Sequence, residues 1–472
     1  MWNPNRLLGL ANNGGKRRGK DKGEAMTRAF DLKRSGWAIG LGVLVAVSAC
    51  AQREEILPGQ REDLRAILTE DEATVPDEKP ENRTVPVKLS KTTANKNWTQ
   101  RHGTPQTRVD HPAYSGAMQM LWSANIGAGD GRRNRITADP VVAEGRIFTL
   151  DSEARVSATT TNGEPAWNVD LLPSHDKAKD ATGGGLAYAD GTVFVTSGFG
   201  LLTALDAATG AQQWQQKLGA TASGAPTVKN GLVFLAAGDN TAWAVDAASG
   251  RIRWQLDATP STNNVLGAPA PAVNDQVAIF GFGSGEVQAA FRGGGLRVWD
   301  AVISGQRFAL ARTRVSDITG DPVIVGQNVY VGSHSGRLVS MKASTGERLW
   351  TANEGALNPV WVAGGSLFLV SDRNELVRLD AEDGSRIWGT ALPFFVKDRP
   401  RRQKEIFAHY GPVLAGGNLI VASNDGLIRR FDPASGALTG TGEIPGGATT
   451  NPVFAGGVMY LVSTKGELYA FR

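Results

Sequence analysis

The sequence predicts an all-β fold: an eight-bladed β-propeller of four-stranded antiparallel blades, with the ring closed by an N-terminal strand in the last blade. Two recurring phrases and their spacing carry this prediction. The first runs Ala204-Leu205-Asp206-Ala207-Ala208-Thr209-Gly210 to Trp214. It returns before Trp254, Trp350 and Trp388, and in shorter form before Trp167 and Trp299. The second places Pro-Val or a variant before each of these: Asp139-Pro140-Val141, Ala225-Pro226-Thr227, Ala270-Pro271-Ala272, Asp321-Pro322-Val323, Asn358-Pro359-Val360, Gly411-Pro412-Val413 and Asn451-Pro452-Val453. Gly185-Leu186-Ala187-Tyr188 is a version without Pro. Eight starts in the 360 residues from Ala113 to Arg472 give 45 residues per unit, the length of a propeller blade.

Within a unit, runs such as Leu232-Val233-Phe234-Leu235-Ala236 and Val329-Tyr330-Val331-Gly332 are β-branched or aromatic and bounded by Gly, Asn and Asp. They read as strands joined by hairpins. The Thr-Gly pair makes the turn into the fourth strand, where Gly supplies positive φ. The Trp that follows, at 122, 167, 214, 254, 299, 350 and 388, recurs once per blade. It therefore reads as packing against the neighbouring blade, with its indole N–H on a backbone carbonyl. The seventh unit keeps Asp432-Pro433-Ala434-Ser435-Gly436 but has Gly440 where Trp is due, and the eighth stops after three strands. The strand around Trp122 precedes the first full repeat and is predicted to complete that last blade, which removes two open sheet edges.

The Ala-Leu-Asp-Ala-x-Thr-Gly-x-x-x-Trp phrase resembles the repeat of the PQQ-like propellers. Two branches of that family are the quinoprotein alcohol dehydrogenases and the BamB lipoproteins of the outer-membrane β-barrel assembly machinery. The resemblance covers residues 113–472 and implies the fold more strongly than the function.

Residues 1–49 read as a leader and lipoprotein signal peptide, with Met26 as an alternative start. They hold nine Lys/Arg and three Asp/Glu, so the 41 basic and 43 acidic residues that follow leave a formal charge of about −2. The basic pI belongs to the leader, and no electrostatic case for nucleic acid remains. Arg28, Lys33 and Arg34 precede an apolar run from Trp37 to Val47, too short to span a bilayer comfortably. It ends Val47-Ser48-Ala49-Cys50, which resembles a bacterial lipobox, and Cys50 is the only cysteine. The resemblance implies lipidation of Cys50. Ala51 and Gln52 are not the Asp that retains such proteins in the inner membrane, which points to the periplasmic face of the outer membrane. Residues 50–112 read as a lipid-anchored tether and extended arm.

Catalytic chemistry is not expected. His102, His111, His175, His334 and His409 show no metal spacing, and no second cysteine or phosphate loop is present. No metal or cofactor is predicted. The quinone-dependent dehydrogenase is the enzymatic alternative; its family carries adjacent cysteines, which one cysteine cannot provide. A periplasmic propeller serving another complex is the third reading. The BamB resemblance instead implies a non-catalytic scaffold that aids folding and insertion of unfolded outer-membrane proteins. Its partners would be a BamA-like protein and other Bam components. Arg314-Val315-Ser316-Asp317-Ile318-Thr319 resembles the family's BamA-contacting stretch in Arg314, Ser316 and Asp317, with Thr319 replacing its second acidic residue. In a second loop Val265 and Gly267 fit the family pattern, while Leu266 stands where Arg is usual. The basic loop 397–404 reads as a solvated connection.

Overall fold

The computed structural model describes residues 80–180, 182–261, 267–303, 305, 307, 315 and 317–472. The chain divides into Met1–Glu78, which lies outside the described residues together with Cys50, and Lys79–Arg472, a compact unit in itself. That unit is a ring of eight four-stranded antiparallel sheets, seven of which run from the axis outward in chain order. Blade 1 comprises Val141–Ala143, Arg146–Leu150, Arg155–Thr160 and Pro165–Asp170. Blades 2 to 7 begin with Gly184–Ala189, Thr227–Lys229, Ala272–Val273, Val323–Val325, Trp361–Ala363 and His409–Ala415.

Blade 8 contains Val453–Ala455, Val458–Val462 and Glu467–Phe471, and its outermost strand is Met120–Asn125, from the other end of the ring-forming segment. Asn125 pairs with Glu467 and Met120 with Phe471. The closure expected from the truncated last repeat is therefore present, and it joins the two ends of the ring by a full strand ladder.

Each repeat Trp stitches its blade to the next. The indole N–H donates to a carbonyl in the following blade: Trp122 to Thr161, Trp167 to Ala207, Trp214 to Ala247, Trp254 to Arg292, Trp299 to Ala343, Trp350 to Ala381 and Trp388 to Pro433, all at 2.9–3.2 Å. The ring lies flat on the turn glycine of that blade. At Gly210, with φ +77°, an added Cβ would sit 2.7 Å from the Trp167 ring, so this glycine is required both for its backbone angle and for the close approach. Opposite the Trp, the third strand carries a small residue: Ala158, Ala204, Ala244, Ala289, Ser340 and Ala470. Blades 6 and 7 place Arg378 and Arg430 there instead.

Those two arginines mark a feature that the composition of residues 50–112 does not suggest. From residue 80 onward the stretch read as tether and arm is docked on the ring. Arg83 N–H donates to Ile387 O on the outer strand of blade 6, Arg378 Nη2 donates to Pro86 O, and just past the arm Arg430 Nη1 donates to Gly116 O. Between these points the arm enters the axis and runs round it, touching the innermost strand of every blade. Asn95 Nδ2 donates to Phe454 O in blade 8, and Trp98 exchanges both backbone hydrogen bonds with Val142 in blade 1. Tyr188 N–H donates to Thr99 O, and the Gln100 amide brackets the backbone of Val228. Val273 and Ile324 donate to Pro105 O and Gln106 O. Arg108 lies 4.7 Å over the Trp361 ring and donates to Pro412 O. The reason is general: an innermost strand faces the axis with unpaired N–H and C=O groups, and the arm satisfies them one blade at a time.

Candidate partner-docking face

The arm fills the end of the axis beside the first hairpin turn of each blade. The other end, built from the blade-to-blade connections, is an open funnel of about 500 Å³. Its walls start from the residue before each Pro-Val phrase. In blades 1, 5 and 8 that position is Asp139, Asp321 or Asn451, whose side chain bonds the equivalent residue of the preceding blade. Asp321 accepts the N–H of Ala270, Asn451 that of Gly411, and Asp139 that of Asn451, at 2.7–2.8 Å.

The floor is Arg101, brought in by the arm. Its Nε donates to Asp321 Oδ2 at 2.6 Å and its Nη1 lies 3.8 Å from Asp139 Oδ2. These carboxylates belong to blades 5 and 1, which stand opposite each other, so one guanidinium bridges the ring across its axis. Burial opposes the charge on Arg101, but Asp321 and Asp139 more than offset it, and its pKa is raised. Beside it, His102 is fully buried. Loss of hydration, joined by the charges of Arg108 and Arg101 and opposed by Asp321, pushes its imidazole from 6.5 down to about 4. The folded state thus holds a neutral ring, while the unfolded chain takes up a proton below pH 6.5. This contribution to stability is fully present above pH 6.5 and is lost as the pH falls through 4. The melting temperature is expected to decline over that window, and His102→Leu to flatten the decline; parallel pH profiles for the two proteins would contradict this.

Three of the residues singled out from the sequence meet at this end. Gly267, with φ +88°, and Thr319 both line the funnel, and Asp317 lines an adjoining cleft of about 190 Å³ with Ser223, Asn240 and Phe282. Gly267 N–H reaches Ser223 Oγ, and Thr319 Oγ1 donates to Ala356 O at 2.9 Å. Arg314, Ser316, Val265 and Leu266 lie outside the described residues. The resemblance implies a partner contact at Asp317; the structure leaves it only 4 % exposed. The cause is its neighbour: Ile318 bridges Ser333 and packs into the core between blades 4 and 5, drawing the residues on either side inward. The same connection is fastened upstream by Arg307, whose guanidinium pairs with Asp372 at 2.7 Å and faces Glu354, which in turn pairs with Arg386. This buried ion network carries no sequence signal.

Two further histidines serve structure. Gly417 N–H donates to His111 Nε2, so Nδ1 carries the proton toward Ser90 O, and His409 sits between Ser423 Oγ and Pro393 O. Among the described residues no group of three or more His, Cys, Asp or Glu could hold a metal ion.

The closed ring and the Trp stitching define an eight-bladed propeller of the PQQ-like repeat class. The chain belongs to the family described as outer membrane protein assembly factor BamB, whose profile matches residues 152–390. It is 26% identical over 359 residues to the outer membrane protein assembly factor BamB of Shewanella oneidensis, covering 74% of this chain and 88% of that one. Among solved structures it resembles BamB from Moraxella catarrhalis, with a TM-score of 0.62 and 18% identity over 75% of this chain and all of that one. It also resembles the quinohemoprotein alcohol dehydrogenase of Comamonas testosteroni, with a TM-score of 0.63 and 15% identity over 80% of this chain and 81% of that one. At these identities the structural likeness shows the fold alone. The shape does not separate assembly factors from dehydrogenases; the sequence family does.

Proposed function

We propose that this chain is a non-catalytic scaffold of the outer-membrane β-barrel assembly machinery. It is attached through a lipid on Cys50 to the periplasmic face of the outer membrane. There it binds a BamA-like protein, together with other Bam components, and assists unfolded barrel precursors. The single observation that carries this reading is the BamB family match across the central blades. The funnel end supports it: Gly267, Asp317 and Thr319 lie side by side on connections held rigid by buried hydrogen bonds and ion pairs, as a docking face requires. Cells lacking the chain are expected to show severalfold less folded β-barrel protein in the outer membrane, with inner-membrane proteins unchanged. Unaltered barrel levels would remove the proposal. The attachment is read separately, as an acyl mass on an N-terminal peptide beginning at Cys50; an unmodified cysteine would exclude it.

A further inference from the structure

The connection from blade 6 to blade 7 is a protruding hairpin. Phe395 bridges Ile406, Val396 N–H donates to Glu405 O at 3.0 Å, and Phe407 N–H donates to Phe394 O at 2.8 Å. Its base is fixed by Asn374 Nδ2, which donates to Pro393 O and Phe407 O, and by His409 against Pro393 O. Its tip turns through Pro400–Arg402 and carries Lys397, Arg399, Arg401, Arg402 and Lys404 against Asp398 and Glu405. All five basic side chains are exposed, and none forms an ion pair among the described residues. A local charge of +3 stands out in a chain whose formal charge from residue 50 onward is about −2.

Charge is half of the pattern. Immediately below the tip, Val396 and Ile406 expose 41% and 47% of their surface, beside the edge-to-face pair Phe394–Phe395. More positive charge lies at the same end of the ring: Arg132, Arg133 and Lys179 line a cleft of about 400 Å³ with Glu153 as its one carboxylate, while Arg135 at the funnel mouth is paired with Asp130.

We propose that this hairpin docks on an anionic lipid bilayer. A membrane interface accommodates both halves of the pattern, headgroup phosphates taking the basic tip and the acyl boundary taking Val396 and Ile406. An acidic protein surface answers the charge alone. The inference draws on the proposed outer-membrane attachment only for proximity to a bilayer. The decisive experiment therefore uses the chain from Ala51 onward, which has no Cys50 and retains the compact unit Lys79–Arg472.

That protein is floated with vesicles of phosphatidylglycerol and phosphatidylcholine, and with phosphatidylcholine alone. It is expected to bind the anionic vesicles preferentially, and less as salt is raised. Each basic side chain at such a surface contributes about five-fold in affinity, so the triple variant Arg399→Gln, Arg401→Gln and Arg402→Gln is expected to bind about 100-fold more weakly. Val396→Ser with Ile406→Ser is expected to weaken binding severalfold while leaving its salt dependence intact. All three proteins should melt together, since the replaced side chains are exposed. Equal binding to both vesicle types, or a triple variant that binds like the parent, would overturn the inference, as would capture of an acidic protein without vesicle binding. Failure here leaves the assembly role standing, because barrel levels in cells report that role independently.

Discussion

Replacing Asp321 with alanine is expected to cost about 3–5 kcal/mol of stability, the scale for breaking a buried ion pair by removing one partner. Asp321 is buried and accepts from both Arg101 Nε and Ala270 N–H, so the substitution strands a guanidinium at the ring axis and a backbone donor at the rim. Asp139 compensates only in part: it lies 3.8 Å from Arg101 and already holds both the backbone and side-chain amides of Asn451. Replacing the pair together, as Arg101→Met with Asp321→Leu, is expected to restore part of the loss, because the guanidinium is no longer stranded at the axis, while Asp139 gives up its 3.8 Å contact with it and keeps its bonds from Asn451. Urea denaturation of the two proteins checks this. A single variant as stable as the parent would mean that the arm does not hold the axis as described.

Trp388→Ala is the second large effect, at about 3–5 kcal/mol. Trp388 is 0% exposed, sends its N–H to Pro433 O, packs on Gly436 and stands 6.1 Å from Phe368. The seven stitching tryptophans are chemically alike but unequally covered. The same change at Trp214 or Trp122, both only partly buried, is expected to cost clearly less. The order of the losses under thermal melting is the test: equal losses at the three positions would show that burial does not set the contribution of the stitch.

The ring was legible because its physics repeats. A turn glycine, a Trp and a Pro-Val phrase, each found seven times, announce the same contacts around the ring, and the missing fourth strand of the last unit points to Met120–Asn125. The arm was not legible because its contacts do not repeat. Residues 80–112 bond scattered backbone groups through Trp98, Thr99, Gln100, Pro105 and Gln106, and a Pro-, Thr- and charge-rich stretch with that role has the composition of a linker. One signal was present: arginine at positions 378 and 430, where the other blades place Ala or Ser, since one guanidinium reaches an arm carbonyl at Pro86 and the other reaches Gly116 just past the arm.

The candidate site was half legible. Asp317 was found by resemblance, but its burial follows from Ile318, whose long-range packing no local pattern displays. A charge reversal at Asp317 would therefore disturb folding, and it cannot stand alone as a test of the proposed partner binding.

The proposed assembly role makes its most direct commitment about what this chain holds in the cell. Purifying the full chain from detergent-solubilised envelopes and identifying its companions by mass spectrometry is expected to recover a BamA-like protein in amounts comparable to the chain itself. Recovery of the propeller without any barrel-assembly component, or together with quinone-dependent alcohol oxidation, would contradict it.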